Sequence, residues 1–192
     1  MSSIIETYVA DAIRTESVPT PELLSRLSEK SRVVHAVFGL LTECGELAKP
    51  ESRTNLKEEI GDCCWYVAIL LDEHGIDCDT VLSSSPPTGD DVGQYDSFSV
   101  ELLELLANVG RLADGFKRQI FYGKSILLQH DVFLLLKPVT QSLIKIAKIN
   151  GYSMDHILAA NIAKLRARYP MKFSSDAAYN RDLKAESAAL SR

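Results

Sequence analysis

Residues 36–71 read AVFGLLTECGELAKPESRTNLKEEIGDCCWYVAILL, and their pattern decides the fold. Two apolar stretches of helical period enclose a polar break at Pro50, Ser52 and Thr54, and Asn55 with Glu58 three residues on can cap a second helix. Helices joined by so short a connection run antiparallel. Glu43 and Glu46 are three residues apart, as are Glu59 and Asp62, so each pair occupies one face of its own helix. The two pairs share a mirror centre that sets Glu46 opposite Glu59 and Glu43 opposite Asp62.

Four carboxylates converging within apolar sequence repel one another and lose hydration, so the arrangement calls for a cation. Oxygen-only ligands suit Mg²⁺, with Mn²⁺ as the alternative, and incomplete protein ligation leaves room for water and phosphate oxygens. Two solvated acidic faces on ordinary amphipathic helices are the competing reading. The apolar flanks, the shared centre and the scarcity of nearby cations beyond Lys49 and Lys57 favour the metal. No His stands three residues after a Glu, as a di-iron bundle site requires, and His35 is read as a packing or capping residue. Trp65, Tyr66 and Ile69 are expected in the core, with base stacking as a second role for Trp65.

At Glu43, Glu46, Glu59 and Asp62 the chain resembles the all-α nucleoside triphosphate pyrophosphohydrolases, the MazG-like group and its relatives, whose signature is E-x-x-E, a gap and E-x-x-D. The run NIAKLRARYPMKFS from Asn161 is similar to the N-x-x-K-x-x-x-R-Y segment of MazG-like proteins, many of them from bacteriophages. The resemblance implies a metal-dependent hydrolase that splits a nucleoside triphosphate, of deoxynucleotide type, into the monophosphate and pyrophosphate. The four acids would be its metal ligands and catalytic groups. Asn161, Lys164 and Arg168, which share one helix face, would steady the polyphosphate. Many relatives carry a further Glu just before the first motif Glu, proposed to activate water; this chain has Thr42 there. A non-catalytic nucleotide-binding or regulatory protein on the same scaffold is the alternative that Thr42 favours, and a plain helical dimerisation module is a third reading.

The 192 residues, 46% of them hydrophobic, can bury a core, and the net charge of −5 argues against a general nucleic-acid binder. No apolar run is long enough to span a bilayer, and MSSIIETYVADAIRTES lacks the order of a signal peptide, so no membrane partner and a cytoplasmic setting are expected, host cytoplasm if phage-encoded. Cys44, Cys63, Cys64 and Cys78 contain no C-x-x-C pair and read as reduced, mostly buried thiols, with zinc as the alternative. Residues 3–14 have helical spacing, and a second helix starting after Pro19 and Pro21 is expected to continue to Lys49. Composition turns to SSSPPTGDDVGQYD within 78–97, an acidic linker whose Asp90 and Asp91 lack the ligand spacing of a calcium loop.

From residue 98 on, the pattern repeats. ECGELA at Glu43 aligns with NVGRLA at Asn108, a shift of 65, and Gly75 aligns with Gly151, a shift of 76. Asn108 and Arg111 then stand where Glu43 and Glu46 were, and Leu135 and Pro138 replace Glu59 and Asp62, so the metal-binding half is 1–77 and 98–192 is a degenerate copy. Between the shifts lies FKRQIFYGKSI, similar to the basic, aromatic stretch between the acidic motifs of MazG-like proteins. It makes Lys117, Arg118 and Lys124 candidates for phosphate contact, with Phe121 and Tyr122 near base or sugar; a solvated basic helix end followed by a glycine turn accounts for it equally well. A break or kink is expected at Pro138, and Ser153 should cap the last major helix. Residues 161–192 hold seven Lys and Arg against three Asp and Glu. The expected architecture is an all-α bundle of two related hairpins with flanking helices, and family habit implies a homodimer or larger assembly.

Overall fold

The computed structural model describes residues 8, 9, 12–14, 16, 18–82, 97–124 and 127–190. Among them are nine α-helices and no strand: α1 (Pro21–Glu29), α2 (Ser31–Leu47), α3 (Arg53–Glu73), α4 (Asp79–Leu82), α5 (Phe98–Tyr122), α6 (Gln129–Ile149), α7 (Met154–Arg168), α8 (Ser175–Tyr179) and α9 (Leu183–Leu190). The helix expected over 3–14 falls mostly outside the described residues, as do Asp90 and Asp91. Among the described residues no helix is long and apolar enough to cross a membrane.

Thr20 caps α1 by accepting a hydrogen bond from the Leu23 amide at 3.2 Å, with Pro21 in the first turn. The single helix expected from here to Lys49 is instead bent at Lys30, whose φ of −105° and ψ of 16° leave the helical region. The bend has a physical reason: it buries Leu23 and lets Arg26 Nε donate to the Ile120 carbonyl at 2.6 Å, fastening α1 to the end of α5. Ser52, not Asn55, caps α3, accepting from the Asn55 amide at 3.0 Å. The Asn55 side chain is then free to donate to Glu59 at 2.6 Å.

Helices α2 and α3 form the expected antiparallel hairpin, with Arg32 near the start of α2 paired to Asp72 at 2.6 Å and Glu73 at 3.2 Å near the end of α3. Helices α5 and α6 form the second, spanned by Lys145 and Glu101 at 3.0 Å. The hairpins pack α2 on α5 and α3 on α6, around a core that includes Leu40, Ile60, Leu70, Leu105, Leu136 and Leu143. Helix α6 runs unbroken through Pro138, contrary to the expected interruption. Pro138 has no N–H to offer Leu134, but Leu134 is 54% exposed, where water can satisfy its carbonyl.

The repeat is visible in the backbone. Gly75 and Gly151 take positive φ, 61° and 76°, and each closes its helix in the same way: Ile76 N donates to Leu71 O and Tyr152 N to Ala147 O, both at 2.9 Å. Six residues past each glycine a buried aliphatic side chain follows, Val81 in α4 and Ile157 in α7. Helix α4 crosses onto α6, and α7 crosses onto α3. The stretch expected to be linker from residue 78 therefore opens with a structural helix, anchored where Thr140 Oγ1 donates to the Val81 carbonyl at 3.3 Å. Residues 83–96 lie outside the described residues.

An alanine at either glycine must hold a left-handed backbone, which costs about 1–2 kcal/mol. Urea denaturation of Gly75→Ala and Gly151→Ala should show losses of that size at both positions; a neutral result at either would contradict the shared cap.

Candidate metal centre

The short loop between α2 and α3 brings Glu43, Glu46 and Glu59 together, each with a carboxylate oxygen within 4.8 Å of the other two. Glu59 is buried, Glu43 half-buried and Glu46 exposed, so the cluster opens to solvent on the Glu46 side. Burial raises the Glu43 carboxyl to about 8, helped by its hydrogen bond to Glu59 and by the charges of Asp62 and Glu46. Glu59 is also raised by burial and by the charges of Glu46 and Asp62, while its hydrogen bonds to Glu43 and Asn55 pull the other way. The consequence is a proton held on Glu43 and shared with Glu59 at neutral pH. Three oxygen donors at this spacing, one of them masked by a displaceable proton, fit a hard divalent cation.

Asp62, the fourth expected ligand, stands beside the cluster but is engaged from α7. Lys164 Nζ donates to its two oxygens at 2.6 and 2.5 Å, and Asn161 Nδ2 donates to Oδ1 at 2.7 Å. Lys164 is 1% exposed and also pairs with Glu58 at 3.1 Å, so Glu58 faces α7 rather than outward. This approach depends on Gly61: a Cβ there would lie 3.0 Å from that of Asn161. Asn161 and Lys164 therefore sit on one face of α7, as their spacing requires, but that face meets α3 and not open space.

Arg168 is held by Glu186 of α9, Nε donating at 3.0 Å and Nη2 at 2.5 Å, with Arg181 completing the group at 2.7 Å. Burial works to raise Glu186, yet the hydrogen bonds and charges of Arg168 and Arg181 outweigh it and hold the carboxyl at about 2. Tyr122 and Lys124 are not brought to the acids. They lie at the end of α5, where Tyr122 lines a groove with Leu27, Val33 and Val34, and Gly123 abuts Arg26. Glu43 is ten residues beyond Val33 on α2, roughly 15 Å along the helix.

An open pocket of about 570 Å³ adjoins the acids, with Glu43 and Asp62 on one side and His35, Trp65, Tyr66, Tyr169 and Phe173 around it. Gly39 makes this wall, because any side chain there would overlap the Tyr66 ring, 2.0 Å from the position of a Cβ. Trp65 and Tyr66 meet edge to face at 4.8 Å, and His35 stands edge-on to Tyr66 at 5.6 Å, a packing role that also gives it pocket surface. Trp65 thus faces an open pocket instead of the closed core. Arg166 lies exposed on the rim, without an ion pair among the described residues. Sequence reasoning passed over Arg166, Tyr169 and Phe173 as pocket residues; their only signal was proximity to the Asn161 motif. All four cysteines are free, three of them buried; Cys63 is raised by its hydrogen bond to Cys44 and by burial, and Cys64 is pushed up to about 12 by burial.

Comparison with known proteins finds no matching family model, no matching curated protein and no matching solved structure.

Replacing Lys164 by Met should destabilise the fold by about 3 kcal/mol, since Asp62 and Glu58 then lose their buried cation; an unchanged denaturation midpoint would contradict the pairing. A carboxyl with a raised folded-state pKa stabilises below its unfolded value and loses that contribution as pH rises through the folded value. For Glu43 the window runs from 4.5 to about 8. Metal-free protein should therefore lose stability across that range, and Glu43→Gln should flatten the profile. Asp62→Asn, which removes one of the charges that raise Glu43, should flatten it to a smaller extent.

Proposed function

We propose that the chain is a metal-dependent nucleoside triphosphate pyrophosphohydrolase. The observation that carries this reading is the junction of a three-carboxylate cluster with an aromatic pocket large enough for a nucleoside, with arginines at its rim. Glu43, Glu46 and Glu59 would hold Mg²⁺, with Asp62 at the edge of the same site, and the ion would neutralise phosphate charge and activate water. Trp65 and Tyr66 offer faces for a base, and Arg166 and Arg168 offer guanidinium groups to the polyphosphate. Asn161 and Lys164 act as positioning residues, fixing the carboxylate of Asp62.

In the reaction, the oxygen of water forms a bond to the α-phosphorus, the bond from that phosphorus to the bridging oxygen breaks, and pyrophosphate leaves with the electron pair. Thr42 cannot take the proton, because a neutral hydroxyl is far too weak a base; it donates instead to the Gly39 carbonyl at 2.7 Å. Glu46, exposed at the mouth of the cluster, is the carboxylate best placed to accept it. The same absence of a base at position 42 supports the second reading, a nucleotide-binding regulator that does not turn over.

Chromatographic analysis of products from each NTP and dNTP, with Mg²⁺ and with chelator, separates the two. Monophosphate plus pyrophosphate, abolished by chelator and reduced at least ~10²-fold in Glu59→Gln, is the expected outcome. Metal-dependent nucleotide binding without product would instead support the regulator. Trp65→Ala should raise KM about fivefold with a smaller change in kcat, since a stacking contact is worth about 1 kcal/mol.

A further inference from the structure

The chain that follows α7 is held down at two points. Among the described residues of 170–190, Glu186 and Leu190 are the buried ones, while Met171 is 96% and Tyr179 90% exposed. Leu190 is fixed by Lys57, whose Nζ donates to its carbonyl. Glu186 is fixed by charge. Its Oε1 accepts from Arg168 Nε at 3.0 Å and Arg181 Nε at 3.3 Å, and its Oε2 accepts from the Nη2 of each, at 2.5 and 2.7 Å. Two guanidinium groups, one from α7 and one from the chain just before α9, are thus turned onto a single carboxylate.

One carboxylate against two guanidiniums leaves an excess of positive charge. A terminal phosphate brings about two negative charges and three acceptor oxygens, and matches such a pair of forks better than a carboxylate does. Exchange of one anion for another also spares the arginines the cost of standing unpaired, which opening by itself would incur. The position suits such a ligand. Arg168 lines the pocket that holds Glu43 and Asp62, and it stands one turn, roughly 6 Å along α7, beyond the Lys164 that contacts Asp62.

We propose that Arg168 and Arg181 form a phosphate site that Glu186 fills in the free protein, so that α9 is a strap released when a polyphosphate displaces the carboxylate. The contact is self-inhibitory: Glu186 must leave before Arg168 can serve the pocket. The choice of polyphosphate rests on the proposed function, but the exchange of anions does not require turnover.

Hydrogen exchange of the full chain in Mg²⁺, with inorganic tripolyphosphate as the probe, tests the strap. Tripolyphosphate should speed exchange at the amides of 183–190 about tenfold, without a matching change in α5 and α6. Sodium chloride at the same ionic strength should leave α9 closed; opening by chloride as well would reduce the effect to screening of an ion pair and overturn the proposal. Glu186→Gln removes the built-in competitor, so calorimetric titration should show tripolyphosphate binding about tenfold tighter than to the unaltered chain. A glutamate that merely fastened the fold would give the opposite sign. Adding Arg181→Gln to that variant should cancel the gain. Should the variants fail to fold, exchange in the unaltered chain decides alone: a rate at 183–190 that stays the same or falls with tripolyphosphate overturns the proposal. Release of α9 without conversion of any nucleotide to its monophosphate would sink the hydrolase reading and leave the strap standing, whereas turnover with α9 unmoved would do the reverse.

Discussion

The close approach of carboxyl groups, Glu43 and Glu59 with Glu46 beside them, is the constraint around which the neighbouring helices are arranged. Like charges in a half-buried cleft are tolerated only with compensation, and the chain supplies it in three forms. A proton stays on Glu43, the amide of Asn55 donates to Glu59, and the ammonium of Lys164 neutralises Asp62 and Glu58. The last of these requires α7 to cross from the second hairpin onto α3, and Gly61 to leave room for Asn161. Part of the fold's connectivity is thus tied to the electrostatics of the cluster.

The two halves illustrate what becomes of such a cluster when it is not kept. At the positions of Glu43 and Asp62 the second hairpin has Asn108 and Pro138, and the Asn108 amide donates to the Pro138 carbonyl at 3.4 Å. Arg111, in place of Glu46, turns to the Asn108 side chain. No excess of like charge remains there, and the helix that crosses onto that hairpin is α4, with Val81 buried.

The C-terminal helices are tied to the same region. Glu186 of α9 takes two arginines, and Lys57 Nζ donates to the Leu190 carbonyl, so α9 is fastened to α7 and to α3. Arg168 reaches the pocket wall already bound to a carboxylate, which orients its guanidinium but also reduces its free charge.

Much of this was legible in residues 36–71. Helical period, the Pro50 break and the spacing of the acids are local properties, and they led to an antiparallel hairpin that gathers Glu43, Glu46 and Glu59. The repeat was legible too, because Gly75 and Gly151 answer a backbone requirement that few other residues meet. The bend at Lys30, the cap at Ser52 and the partners of Asp62, Lys164 and Arg168 were not. Spacing along a helix says which side chains share a face, never what that face meets. Whether Lys164 points to solvent or to Asp62, and whether Tyr122 reaches the acids or lies at the far end of α2, depends on how separate helices cross, and that is settled by long-range packing. The sequence by itself determined the helices, their pairing and the chemical character of the cluster, since these follow from neighbours a few residues apart; only the tertiary structure decided which charges face one another and where the pocket opens, since those contacts join residues about a hundred positions apart in the chain.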